Sequence, residues 1–115
     1  MIFDEVEGRP VTEADVERCL AWMSANAAVL AQAIADRQHT EQFIKVVEAE
    51  QRTLHADQAA HVQERNARAS RAYEAALEAY RDASKSEQRY RYLWQLAETV
   101  IDVWRTRCAN ERKIG

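Results

Sequence analysis

The chain has almost no punctuation. Its 115 residues contain two glycines and one proline, too few for a turn-rich β fold. Gly8 and Pro10 sit near the start, and between residues 11 and 114 no Gly or Pro forces a helix to stop. No apolar run approaches the roughly 20 residues that span a bilayer, so no membrane association is expected. The opening MIFDEVEGRP is acidic and lacks a basic n-region and a long apolar core, so it does not read as a secretory signal. The two cysteines, Cys19 and Cys108, have no metal-type spacing and fit free thiols in a reducing cytosol. Gly-rich phosphate loops and Ser/His/Asp groupings are missing. Catalytic residues, cofactor and metal are all expected to be none. A formal net charge of −3 excludes a generic polyanion binder.

What is present is helix-forming: Ala, Glu, Arg and Gln dominate. The densest apolar stretch is 90–108 (YRYLWQLAETVIDVWRTRC), which holds Trp94 and Trp104. One set of residues there, Tyr90, Trp94, Ala97, Ile101, Trp104 and Cys108, steps by 4, 3, 4, 3, 4, and a second, Leu93, Leu96, Val100 and Val103, by 3, 4, 3. Both are helical periods, and together they cover about half of the circumference. Such a helix requires two neighbours in its own chain, or one neighbour and a second subunit.

The predicted fold is all-α: a short N-terminal helix packed on a long antiparallel two-helix hairpin, coiled-coil-like and dimeric, forming a single helical domain over 1–115. Residues 1–11 are a tail whose Ile2, Phe3 and Val6 can dock on the body or on a partner. Helix A is expected over 13–24, with Thr12 as its cap, Glu13 and Asp15 in the first turn, and Val16, Cys19, Leu20 and Met23 as its stripe beside Trp22. Ser24-Ala25-Asn26 is expected to break it. Helix B then runs over 27–66, with a stripe at Leu30, Ile34, Phe43, Val47, Leu54 and His61 interrupted by Arg37, Thr40, Glu50 and Gln58. The turn falls at 66–70 (NARAS), with Ser70 capping helix C over 71–110. Helix C carries Tyr73, Leu77, Tyr80, Ser84, Glu87, Tyr90, Trp94, Ala97, Ile101, Trp104 and Cys108 on its buried side. A hairpin about that turn sets Ile34 near Trp104, Phe43 near Gln95, Val47 near Arg91 and His61 near Leu77. Helix A would close a three-helix bundle at the apolar end, bringing Cys19 close to Cys108.

Three constellations carry candidate chemistry. Asp57, His61 and Glu64 share a face of helix B and can meet Glu74 and Glu78, but the Glu-x-x-His pattern of helical metal sites is absent. A His61 hydrogen-bonded to Tyr73 or Tyr80 is the stronger expectation. Charge is segregated: residues 1–50 carry ten acidic and four basic side chains, and 60–91 carry seven basic and five acidic. Arg65, Arg68 and Arg71, with Arg81, Arg89, Arg91 and four tyrosines, resemble a surface that tracks a phosphate backbone and stacks bases. The interleaved Glu64, Glu74, Glu78, Asp82 and Glu87 equally describe a salt-bridged, solvated helix face. The acidic first half can present carboxylates to a basic protein partner.

The segment 97–112 is Ala97-Glu98, then Ile101-Asp102-Val103-Trp104-Arg105-Thr106, then Ala109-Asn110-Glu111-Arg112. It resembles the C-terminal signature of small helical proteins encoded by temperate phages and prophages, often beside single-strand annealing recombinase genes. In that family an Ala-Glu pair leads into Ile-x-Val-Trp-Arg-Thr and then Ala-Asn-x-Arg. The placement of Thr12-Glu13 through Trp22 and Asn26-Ala27 is similar, whereas residues 66–73 depart from a family turn richer in Asp and Pro. The resemblance implies a setting in phage recombination or replication, in the cytoplasm of a bacterial host cell, and no catalytic residues. It implies Arg105, Asn110 and Arg112 as a contact surface, beside their plainer role in C-terminal helix electrostatics and capping. The expected function is a non-enzymatic accessory protein that binds a protein partner, a host nuclease or the recombinase, and self-associates. The alternatives are a single-stranded nucleic-acid binder working through Arg65, Arg68 and Arg71, and a structural oligomerisation module.

Overall fold

The structure, a computed structural model, describes residues 8–114, with side chains described to Lys113. The expected docking of Ile2, Phe3 and Val6 lies outside the described residues. The described chain is all-helical with three helices: α1 (Glu13–Thr53), α2 (Ala60–Arg68) and α3 (Arg71–Ile114). Its contacts gather into two compact units. One unit contains the chain up to Leu30 together with Arg89 onward, and the other is Ala31–Gln88.

α1 begins where the capping residues require. The Thr12 hydroxyl accepts the Asp15 amide N–H at 3.3 Å, and the Asp15 carboxylate accepts the Thr12 amide N–H at 2.8 Å. This reciprocal pair satisfies two backbone donors at the helix entrance. The expected break at Ser24-Ala25-Asn26 does not occur, so helices A and B are one helix through that point. The Asn26 side chain donates to the Trp22 carbonyl at 2.9 Å, one turn back. A group able to cap a new helix is thereby spent inside a continuing one, and with no Gly or Pro nearby nothing else stops the chain.

α1 does stop at Thr53, well before the expected end at 66. Leu54, the first residue beyond this end, is 71% exposed, so no burial of its side chain holds the helix on. The backbone tightens instead, with the amide N–H groups of His55, Ala56 and Gln58 reaching carbonyls three residues back. Side chains hold the turn. Gln63 donates to the Gln58 carbonyl at 2.6 Å, and Asn66 donates to the Gln58 side-chain oxygen at 2.8 Å. Asn66 therefore lies within α2 and not in the turn. The link to α3 is only Ala69-Ser70, and Ser70 caps α3 by accepting the Tyr73 amide N–H at 3.2 Å.

In the unit containing both termini, α1 and α3 pack around buried Val11, Cys19, Ala97 and Val100, with Val16, Trp22, Met23, Ile101 and Trp104 against them. Trp22 faces Trp94 at 6.3 Å between ring centroids with the planes tilted by 57°, an arrangement worth about 1 kcal/mol beyond its area. Cys19 lies in the buried cluster with Ala97 and Val100, and it and Cys108 are both free thiols. In the Ala31–Gln88 unit α1 and α3 are joined by α2, and the buried side chains are small or polar: Ala33, Val47, Ala67, Ala76 and Glu87. The expected register would have set Arg37 opposite Ile101, but Arg37 meets Glu87. The hairpin is displaced because α2 and its preceding turn consume residues that were assigned to helix B. The third helix accordingly belongs to this unit, not to the apolar end.

The buried faces follow a 3.5-residue repeat. On α1, Cys19, Asn26, Ala33, Thr40 and Val47, with Met23, Leu30, Arg37, Ile44 and Gln51, are all buried or half-buried. On α3 every member of the predicted stripe from Tyr73 to Cys108 is buried or half-buried. A 3.5-residue seam is the signature of coiled-coil packing.

Candidate functional site

The arginines of the proposed basic surface do not share one condition. Arg68 is held by Glu64 at 2.7 Å and Glu48 at 3.5 Å, and Arg52 bridges Glu48 at 3.1 Å and Glu64 at 3.7 Å. The result is an alternating network of two carboxylates and two guanidiniums linking α1 to α2. Arg65 and Arg71 are exposed. A basic stripe whose central charge is neutralised within the chain attracts phosphate less than its composition suggests.

The Asp57, His61 and Glu64 face does not form. Asp57 lies in the turn before α2, His61 is exposed, and Glu64 is committed to Arg68. Among the described residues no group of three His, Cys, Asp or Glu side chains could hold a metal ion. Cys19 is fully buried, and burial, helped by nearby Asp15, pushes its thiol up from the ordinary value. That is the wrong direction for a nucleophile. No helix among the described residues is long and apolar enough to cross a membrane.

The C-terminal candidates separate. Arg112 turns back along its own helix, its Nε donating to the Cys108 carbonyl at 3.4 Å, which is C-terminal capping. Arg105 is 77% exposed, 4.0 Å from Asp102. With Leu20, Met23, Glu98, Ile101 and Asp102 it lines a groove between α1 and α3. Asn110 lines a different surface, formed with Thr99, Asp102, Val103, Thr106 and Arg107 along the outer side of α3. Arg107 lies over the Trp104 ring, 5.4 Å from its centroid.

Two ion pairs stand out for burial. Arg9 grips Asp15 with two parallel hydrogen bonds of 2.8 Å, and Asp15 is 1% exposed. The Arg9 guanidinium and the Thr12 amide N–H hold its carboxyl well below the usual range, against the opposing effect of burial. Arg37 reaches buried Glu87 through Nε at 3.0 Å and Nη2 at 3.4 Å while its Nη1 meets Glu41 at 2.9 Å. Charge-assisted, forked contacts of this kind fix geometry more than they add stability.

Phe43, which periodicity assigns to the buried stripe, is in fact outside, beside Val46. Phe43 is 45% and Val46 48% exposed, and the His39 ring stacks beside Phe43 at 6.2 Å. These residues occupy one flank of α1, three and four positions apart. Sequence reasoning put Phe43 in the seam because large apolar residues normally mark it. The real seam there uses Ala33, Arg37, Thr40, Ile44 and Val47, and the steady 3.5 step through those smaller side chains was the available signal. No family model matches the sequence, and no curated protein and no solved structure matches it.

Proposed function

We propose that this chain is a non-enzymatic accessory protein of phage DNA recombination or replication, acting through a protein partner such as a host nuclease or the recombinase. The setting rests on the resemblance carried by residues 97–112. The mode of action rests on one observation: α1 exposes Phe43 and Val46 beside His39, while Arg68 is neutralised by Glu64 and Glu48. An exposed aromatic and aliphatic strip suits a protein contact, where aromatic anchors supply most of the energy. It suits a phosphate backbone less well.

The test has two arms. Light scattering with a labelled single-stranded oligonucleotide, at low and high salt, should show no co-elution. Complex formation with the purified recombinase or host nuclease should be measurable for the natural chain and fall at least tenfold in Phe43→Glu. Co-elution with DNA that high salt abolishes, and that Arg65→Ala and Arg71→Ala weaken, would overturn the reading in favour of direct nucleic-acid binding.

A further inference from the structure

We infer that the groove between α1 and α3 in the unit containing both termini binds an amphipathic helix of a protein partner, one whose flank carries an acid, a base and an acid at seven-residue spacing. Two depressions form the groove. One is lined by Leu20 and Met23 of α1 with Ile101 and Arg105 of α3, the other by Leu30 with Trp94 and Arg91. Glu98 borders both. On α1, Leu20, Met23, Ala27 and Leu30 step by 3, 4 and 3, so they share one side of the helix. Leu20 is 52% exposed, and Ala27, between the two depressions, is exposed and offers only a methyl group. Val11 closes a different side of the pair. It is buried with Val100, which stands two positions from Glu98 and so on the opposite flank of α3. Glu98 itself is exposed.

The α3 rim of the groove alternates in charge. Arg91, Glu98 and Arg105 recur every seven residues, over about 21 Å of helix. They run beside Trp94 and Ile101 of the buried stripe, the place that charged flanking positions take in a coiled coil. The facing flank of α1, formed by Leu20, Ser24 and Ala27, carries no charge. A helix seated there sets its apolar side chains on Leu20, Met23, Leu30 and Ile101 and turns a charged flank to α3, the usual mode of helix-in-groove recognition. An acid, base, acid flank is complementary to Arg91, Glu98 and Arg105 in either chain direction, and a base, acid, base flank is repelled in both. The rim is open to such a partner. Arg105 meets Asp102 only at 4.0 Å, with the two side chains 77% and 71% exposed, a pair weak enough to exchange. A guanidinium has five N–H donors, so Arg91 can hold a contact within the chain and meet an incoming carboxylate as well. Two copies meeting antiparallel through this rim would set Glu98 against Glu98 and Arg91 against Arg105, which selects a different protein chain as the occupant. Phe43 belongs to the other unit, so the inference stands apart from the reading built on it.

The experiment uses the full chain and labelled synthetic helices of about three heptads with leucine seams, followed by fluorescence anisotropy. One carries Glu, Lys and Glu along its flank at seven-residue spacing, the second Lys, Glu and Lys, and the third Glu at all three positions. The first should bind about tenfold tighter than the second or better. Glu98→Lys should weaken binding of the first by about tenfold or more, with helical circular dichroism retained, and should bind the third to within about threefold of the natural pairing. Ala27→Trp fills the groove from α1 and should abolish binding of the first, whereas Phe43→Glu should leave it unchanged. No binding of the first helix, equal binding of the first two, a Glu98→Lys chain that the third does not rescue, or binding that survives Ala27→Trp would each overturn the proposal. So would a natural chain that dimerises in light scattering and loses the dimer on Ala27→Trp, because the groove would then be filled by a second copy.

Discussion

The two compact units are held together by opposite means. Around Cys19, Ala97 and Val100 the seam is apolar, with two tryptophans packed across it. In Ala31–Gln88 the buried side chains are Ala33, Val47, Ala67, Ala76 and Glu87, and Glu87 is paired with Arg37 beside half-buried Ile44, Leu77 and Tyr80. Ser84 adds a buried hydroxyl oxygen with no hydrogen-bond partner there. Apolar burial is non-directional and scales with area, so the first unit gains stability and tolerates small shifts. A forked ion pair gains little net energy once desolvation is counted, but it is satisfied in one register only. The comparison teaches a division of labour: the apolar unit gains free energy, and the Ala31–Gln88 unit gains uniqueness of alignment.

That division is broken most directly at the tryptophans. Trp94→Ala should cost about 3 kcal/mol by chemical denaturation, from lost area, lost ring contact and an incompletely filled gap. Hydrogen exchange should show protection falling first between residues 13 and 30.

A smaller but more discriminating effect is expected at the ion pair. Glu87→Leu leaves the Arg37 guanidinium without its buried acceptor and should lower the thermal midpoint by several degrees. Arg37→Met combined with Glu87→Leu should recover or exceed the natural midpoint, because two well-packed apolar side chains replace a costly desolvated pair. If alignment is what the pair supplies, the double variant should be as stable as the natural chain but show broadened amide resonances in residues 31–88.

The smallest expected effect sharpens the comparison at the helix entrance. Asp15 holds its proton less tightly in the folded chain than at its ordinary value of 3.8. Its contribution is therefore complete above that pH and is lost as the pH falls below it toward the folded value. Asp15→Asn should be less stable than the natural chain at neutral pH, and the two melting curves should converge progressively below about pH 4. A constant offset down to strongly acidic pH would mean that Asp15 acts by shape and not by charge.

The buried side of α3 was legible because large residues mark it. Tyr90, Trp94, Ile101 and Trp104 repeat so regularly that only one face can be inside. The Thr12 cap was legible for a local reason, since its chemistry is complete within four residues. α1 was legible only in part: Leu30, Ile34 and Val47 of its expected stripe are buried or half-buried, while Phe43 and Leu54, which hydrophobicity equally favours, are exposed. The break at 54–59 was invisible because it contains no Gly or Pro and is held by Gln63 and Asn66, residues otherwise at home in a helix. Of the candidate contact residues, composition could show that Arg68 has glutamates nearby in sequence, but not that Glu48 reaches it from another helix.

By itself, the sequence determined that the chain is helical, where α1 starts, where α3 starts and which side of α3 is buried. Each of those follows from interactions within a few residues, through capping, propensity and period. Tertiary structure alone decided where α1 ends, which residues of α1 and α3 meet, and which charges are neutralised. Those outcomes depend on contacts such as Arg37 with Glu87, fifty positions apart. No local pattern selects among alignments that bury similar area, and a buried carboxylate that must meet a guanidinium from the other helix does.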